Sequence, residues 1–328
     1  MAERRGSSPI SGEAPRGAGG VPPPACLWTS GRECWVFRAD DPEQLCGHHP
    51  ELIRSALLAG ESVRYLLYSP IFDAGGGPFR VGGMPGSHAV AITERRLLVS
   101  HDPHADGRSR SVLAIELESI SCIDLGCALA MGWFVVHHAA PRAATCPILF
   151  GAHGSTHFRS VVRAYLGQTG KQPDRETSGG WSAAWEGVAP YLRAEAEPLL
   201  DGATGPLAVV RVSERWSQQR RLWRWVPVCV SAPGVLVATA QAILWAASEP
   251  RRAPDALAFG VNVTVVRPDR VVDVRVRPGR EAESVAAVLQ LTAGAGRSLR
   301  LLEIPFDPED AEAARQVVRL AAAWGATR

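Results

Sequence analysis

Apolar residues along the chain alternate or gather in short runs more often than they recur at helical spacing, so strands dominate the expected structure. The first helical pattern is "PELIRSALLAG", with Leu52, Ile53, Ala56 and Leu57 in step and Gly60 placed to stop it. A strand over Ser62 to Tyr68 follows, and then the Gly-rich loop "DAGGGPFRVGGMPG". His88 to Thr93 and Leu97 to Ser100 are two apolar runs separated by "ERR", a hairpin loop of common length. Ser111 to Leu117, Ile120 to Leu125, Trp133 to His137 and Pro147 to Phe150 continue the series. An amphipathic helix closes it, with Ser155 as N-cap, Phe158, Val161, Val162 and Tyr165 on one face, and Gly167 at its C-terminal end.

The second half reads as a repeat of this plan. "PYLRAEAEPLLDG" stands where "PELIRSALLAG" stood, "PLAVVRVSE" where "SVRYLLYSP" stood, and "VPVCVSAPGVLVAT" where "HAVAITERRLLVS" stood. "ALAFGVNVTVVR", "RVVDVRV", "ESVAAVLQLT" and "SLRLLEIPF" supply further strands. The last helix is expected to start at an Asp307 cap with Pro308 in its first turn, and to stop at Gly325. A period of this length points to duplicated domains rather than a solenoid.

Composition narrows the class. The chain has 328 residues, 46% of them hydrophobic, which suits two domains with separate cores. A formal net charge of +2 with 21% charged residues argues against nucleic acid as a partner. Residues 1–25 are rich in Gly, Pro and Ser, lack the apolar core of a signal peptide, and read as a disordered leader of a cytoplasmic protein. No apolar run reaches the length of a membrane helix. Seven scattered cysteines read as reduced thiols. The expected division is a leader over 1–25, a Cys/His-containing extension over 26–50, a first domain over 51–167, a linker over 168–184 and a second domain over 185–328.

The stretch "LLAGESVRYLLY…AVAITERRLLVS…SVLAIELESISCIDLG…MGWFVVHH", followed by a strand and a helix, resembles the bacterial pleckstrin-homology-like (PH-like, GRAM-related) domain. Gly60, Glu61, Thr93, Arg96, Leu97, Ile115, Ile120 and Leu125 carry the resemblance over residues 51–167. The second half departs from it, since "VSAPGVLVAT" lacks the arginine, and there the order of elements and the terminal helix carry the likeness. The resemblance implies a mainly β chain with some α: two bent-sheet barrels, each of about seven antiparallel strands capped by an amphipathic helix. It also implies a binding module for phosphoinositides, other lipids, peptides or protein surfaces, because fold alone does not select a ligand.

Candidate contacts are basic. Arg95 and Arg96 lie at a hairpin tip, where they either meet an anion or keep the turn in water, with Arg108 and Arg110 in the next turn. From Leu207 onward 17 arginines stand against 12 acidic residues. "RWSQQRRLWRW" interleaves Arg215, Arg220, Arg221 and Arg224 with Trp216, Trp223 and Trp225, and "SEPRRAP" adds Arg251 and Arg252. This composition suits a membrane interface or stacking on a partner, while strand alternation would also turn Trp223 and Trp225 inward. Cys26, Cys34, Cys46 and His48 are soft ligands ahead of the first domain, without the spacing of a zinc knuckle.

No P-loop, zincin, serine-hydrolase or dinucleotide motif is present in the sequence. The expectation is therefore a non-enzymatic adaptor without cofactor, peripheral at an anionic membrane surface or bound to a protein partner, and able to self-associate through sheet edges. The rivals are a peptide-binding scaffold that uses a sheet edge or the sheet–helix groove, and a small zinc- or Cys/His-dependent enzyme.

Overall fold

The computed structural model describes residues 35–71, 86–103, 110–139, 145–167, 181, 184–200, 205–221, 224–249, 260–278, 287–295, 298–306 and 308–326. The expected leader, most of the linker and the Asp307 cap lie outside them. Strands predominate and every pairing is antiparallel.

The first half runs β1 (Phe37–Ala39), α1 (His49–Ala56), β2 (Val63–Ser69), β3 (Ser87–Thr93), β4 (Arg96–Asp102) and β5 (Ser111–Glu116). A 3-10 turn (Leu117–Ser119) then leads to β6 (Ile120–Ala128), β7 (Met131–His138), β8 (Thr145–Gly151) and α2 (Ser155–Tyr165). The second half runs α3 (Pro190–Leu200), β9 (Ala208–Val212), β10 (Arg215–Arg221), β11 (Arg224–Ser231), β12 (Gly234–Ala238), β13 (Ile243–Ser248) and β14 (Gly260–Val266). A second 3-10 turn (Pro268–Arg270) leads to β15 (Val271–Pro278), β16 (Ala287–Ala295), β17 (Ser298–Phe306) and α4 (Ala311–Ala326). A helix, four strands, a 3-10 turn, three strands and a helix thus occur twice, with β10–β11 inserted between the first and second strands of the later set.

The sheets do not respect that division. One has the order β1-β2-β3-β4-β5, another β15-β16-β17, and β10-β11 forms a ribbon of its own. The largest is seven-stranded, β8-β7-β6-β14-β13-β12-β9, because β6 of the first half pairs with β14 of the second. Strand alternation gives this sheet two apolar faces. Ile123, Leu125, Phe134, Val263 and Val265 turn toward α2, α3 and the five-stranded sheet, in one core with Val90, Ile92, Leu97 and Leu199. Leu236, Ile243, Val266 and Cys122 turn the other way, toward β15–β17 and α4, in a second core with Leu289, Ile304 and Val317. A third cluster seats α1 and β1 on the outer side of the five-stranded sheet through Leu45, Ile53, Leu66 and Leu98. Residues 35–50 of the expected extension are accordingly built onto the first sheet, with Phe37 opposite Tyr68.

Three sequence assignments change. Ser155 is the first residue inside α2 rather than its cap, and its hydroxyl donates back to Ala152 O (2.7 Å). The second-half counterpart of the "TERR" tip is not Pro233–Gly234 but "TAQA", between β12 and β13. Thr93 Oγ1 accepts from the backbone N–H groups of Arg95 (3.2 Å) and Arg96 (2.9 Å). Thr239 Oγ1 does the same for Gln241 (3.2 Å) and Ala242 (3.0 Å). Each threonine closes its own turn, which is why that residue type serves there. The last helix also runs through Gly325 to Ala326 rather than stopping at it.

Candidate functional site

The predicted basic residues separate by environment. Arg96 is only 8% exposed. Its Nε donates to Glu61 Oε1 at 3.0 Å, its Nη2 donates to Ala56 O at 2.9 Å, and a second contact joins Nη2 to Glu61 Oε2. The Arg96 hydrogen bonds hold the Glu61 carboxyl down at about 2. This guanidinium is consumed inside the fold, tying α1 and the start of β2 to the hairpin tip, and Arg95 is the exposed member of the pair. Arg110 donates to Asp102 Oδ1 at 3.1 Å.

The ribbon carries the second cluster. Its register sets Trp216 opposite Cys229, Arg220 opposite Trp225 and Arg221 opposite Arg224, with an irregularity between Arg215 and Trp216. It pairs with no further strand among the described residues. Trp223, Arg108, Arg251, Arg252, Cys26 and Cys34 lie outside the described residues, as do the side chains of Arg220, Arg221, Arg224 and Trp225. Cys46 is half-buried, and His48 caps α1 without a side-chain bond to it.

Sequence reading missed two buried polar groups. The first lies where β6 meets β14. Thr264 Oγ1 donates to Asp124 Oδ1 (2.6 Å), His137 Nε2 donates to Asp124 Oδ2 (2.7 Å), and Arg300 Nη2 reaches the same oxygen from β17 at 3.3 Å. Asn262 Nδ2 donates to Thr264 Oγ1 (3.3 Å), and Trp133 Nε1 donates to Asn262 Oδ1 (2.8 Å). Burial pushes the Asp124 pKa up, but the bonds from His137 and Thr264 outweigh it and hold the group below the usual range. The Trp133 ring lies over Gly126, where a Cβ would come within 2.2 Å of it, so only glycine fits. Cys122 completes a cluster whose donor atoms with Asp124 and His137 fall within 4.8 Å of one another. Asp124 already receives three donors, one of them a guanidinium that would repel a dication, so the group is complete as a hydrogen-bonded unit. Burial raises the Cys122 pKa to about 12, which leaves the thiol protonated and a poor nucleophile.

The second group lies at one end of the five-stranded sheet. His49 is fully buried and hydrogen bonds through Nδ1 to Ser100 Oγ (2.7 Å) and through Nε2 to Ser87 Oγ (2.9 Å). Ser69, His88 and His101 stand side by side across β2, β3 and β4, the two imidazoles with centroids 4.9 Å apart. Among the described residues, neither ring nitrogen of His88 nor Ser69 Oγ has a hydrogen-bond partner. Burial lowers the His49 pKa to about 4 and the His88 pKa to about 3, too low for a general base at neutral pH. Neither group stood out because its members are spread over separate elements, His49 on α1 and the others on strands that read as largely apolar runs.

No helix among the described residues is long and apolar enough to cross a membrane. In comparisons with protein-family models, curated proteins and solved structures, the chain finds no match.

Proposed function

We propose that the chain is a non-enzymatic adaptor built from two PH-like units, and that it meets an anionic membrane surface through the β10–β11 ribbon. The observation that carries this reading is the ribbon itself, a two-stranded sheet separate from the larger ones whose register sets Arg220 opposite Trp225 and Arg221 opposite Arg224 at one end, with Arg215 and Trp216 at the other. Arginines supply attraction to anionic headgroups, and tryptophans favour the interfacial zone. The twice-repeated order of four strands, three strands and a helix supports the PH-like reading. The protonated Cys122 thiol and the low basicity of His49 leave the two buried groups poorly suited to supply a nucleophile or a general base, which favours the non-enzymatic reading.

Co-sedimentation with neutral and anionic phospholipid vesicles, at low and high salt, tests it. Salt-sensitive binding to anionic vesicles is expected. Three arginines at about 1 kcal/mol each are worth roughly a hundredfold, so R220A/R221A/R224A weakens binding by about that factor. Equal binding to neutral vesicles, or a triple variant that binds like the parent, overturns the membrane reading and leaves a protein-binding scaffold.

A further inference from the structure

The contact between the two halves is strand addition. β6, the strand after the first 3-10 turn, accepts β14, the strand before the second 3-10 turn. Of the strands that end a sheet among the described residues, β1, β8, β9 and β17 included, two match the kinds used in that contact: β5, at the end of the five-stranded sheet, and β15, at the end of the three-stranded sheet. By position in the repeated order β5 is the counterpart of β14, and β15 the counterpart of β6. Leu97 pairs with Ile115 as Ile243 pairs with Val266, and Ile120 and Val271 each open the strand after a 3-10 turn, which aligns the two sets residue by residue.

We propose that two copies of this chain associate by antiparallel pairing of β5 of one with β15 of the other, reproducing the contact already made within each chain. Transferred onto these edges, the Val263–Leu125 and Val265–Ile123 pairs become Val112–Val276 and Ala114–Val274. The apolar rows coincide. Val112 lies half-buried beside the α1 cluster, as Val263 lies in the core beneath α3. Val276 stands opposite the core residue Leu289, as Leu125 stands in its own core, yet it is 42% exposed. A second copy would cover that valine and give a neighbouring strand to two edges that pair with no further strand among the described residues. The β6–β14 contact demonstrates that edges of these two kinds meet while each half keeps its own strands and helix. A chain with one edge of each kind joins head to tail, so the product is a closed ring or a growing array.

Sedimentation velocity of the full chain over a range of concentrations reads this directly. The expected result is a species of two or more chains that rises with concentration. V276K and V112E, each checked for an unchanged circular dichroism spectrum, are expected to lose it, and an equimolar mixture of the two is expected to restore it, since the mixture pairs Glu with Lys at the predicted contact. A parent chain that sediments as a monomer throughout overturns the proposal. So does association that survives both substitutions, or a folded mixture that fails to re-associate. Vesicle binding through the ribbon is a separate readout and stands or falls independently.

Discussion

Asp124 and Thr264, 140 residues apart in sequence, share a 2.6 Å hydrogen bond across the contact between β6 and β14. The same carboxylate receives His137 and Arg300, so one side chain serves three donors contributed by three strands. Asp124→Ala leaves those donors without their acceptor and should cost about 3 kcal/mol or more, whereas Thr264→Val should cost about 1 kcal/mol. Urea unfolding of the two variants checks the order; equal losses would show that the carboxylate is not the hub.

Arg96 and Glu61 form a buried ion pair with side chains 9% and 7% exposed. Removing one partner strands the other charge, so Glu61→Ala and Arg96→Ala should each destabilise by about 3 to 5 kcal/mol. Glu61→Leu combined with Arg96→Met should lose less than either single change, because no lone charge remains. Thermal melts distinguish this from a surface pair, for which both singles would be near neutral.

The buried histidines set an acid limit. His49 and His88 sit at about 4 and about 3 against an ordinary 6.5, so the folded state binds fewer protons than the unfolded chain. Their contribution is present above about pH 6.5 and is lost as pH falls toward 4, at about 1.4 kcal/mol per pH unit for each histidine. His88→Leu should flatten that slope by one proton. It should also leave the protein at least as stable at pH 7, because it removes two buried nitrogens that have no partner among the described residues. Denaturation midpoints at pH 7, 6 and 5 provide the test, and an unchanged slope would rule out His88 as a contributor.

Cys122 should resist alkylation at pH 8 while the chain is folded, since its thiol is buried and pushed up to about 12. Mass spectrometry of the Cys122 peptide before and after denaturant should show modification only afterwards. Modification in the folded state would reopen a catalytic role for the Cys122, His137 and Asp124 cluster.

Much of the strand order was legible because runs such as Ala89–Ile92 and Leu97–Val99 are apolar, and the turns between them carry Thr, Glu and Arg. The second-half tip was misplaced because Pro233–Gly234 is the stronger local turn signal, while Thr239 closes its turn with neither Gly nor Pro. The β6–β14 contact could not be read at all. Asp124, His137 and Thr264 are scattered polar residues in largely apolar strands, and nothing local says which distant strand supplies the partner. Arg96 illustrates the same limit, since its acceptor Glu61 lies 35 residues upstream and only the folded tip brings the two together.

The seven-stranded sheet is a party wall. The core on one face includes Leu125 from the first half beside Val263 from the second, and Cys122 of the first half is buried in the core on the other face. Neither half owns a complete interior, so removing one strips the lining from the other. The chain should therefore melt in a single transition despite its length. A cut anywhere between residues 168 and 180 should give two fragments that fold only in each other's company.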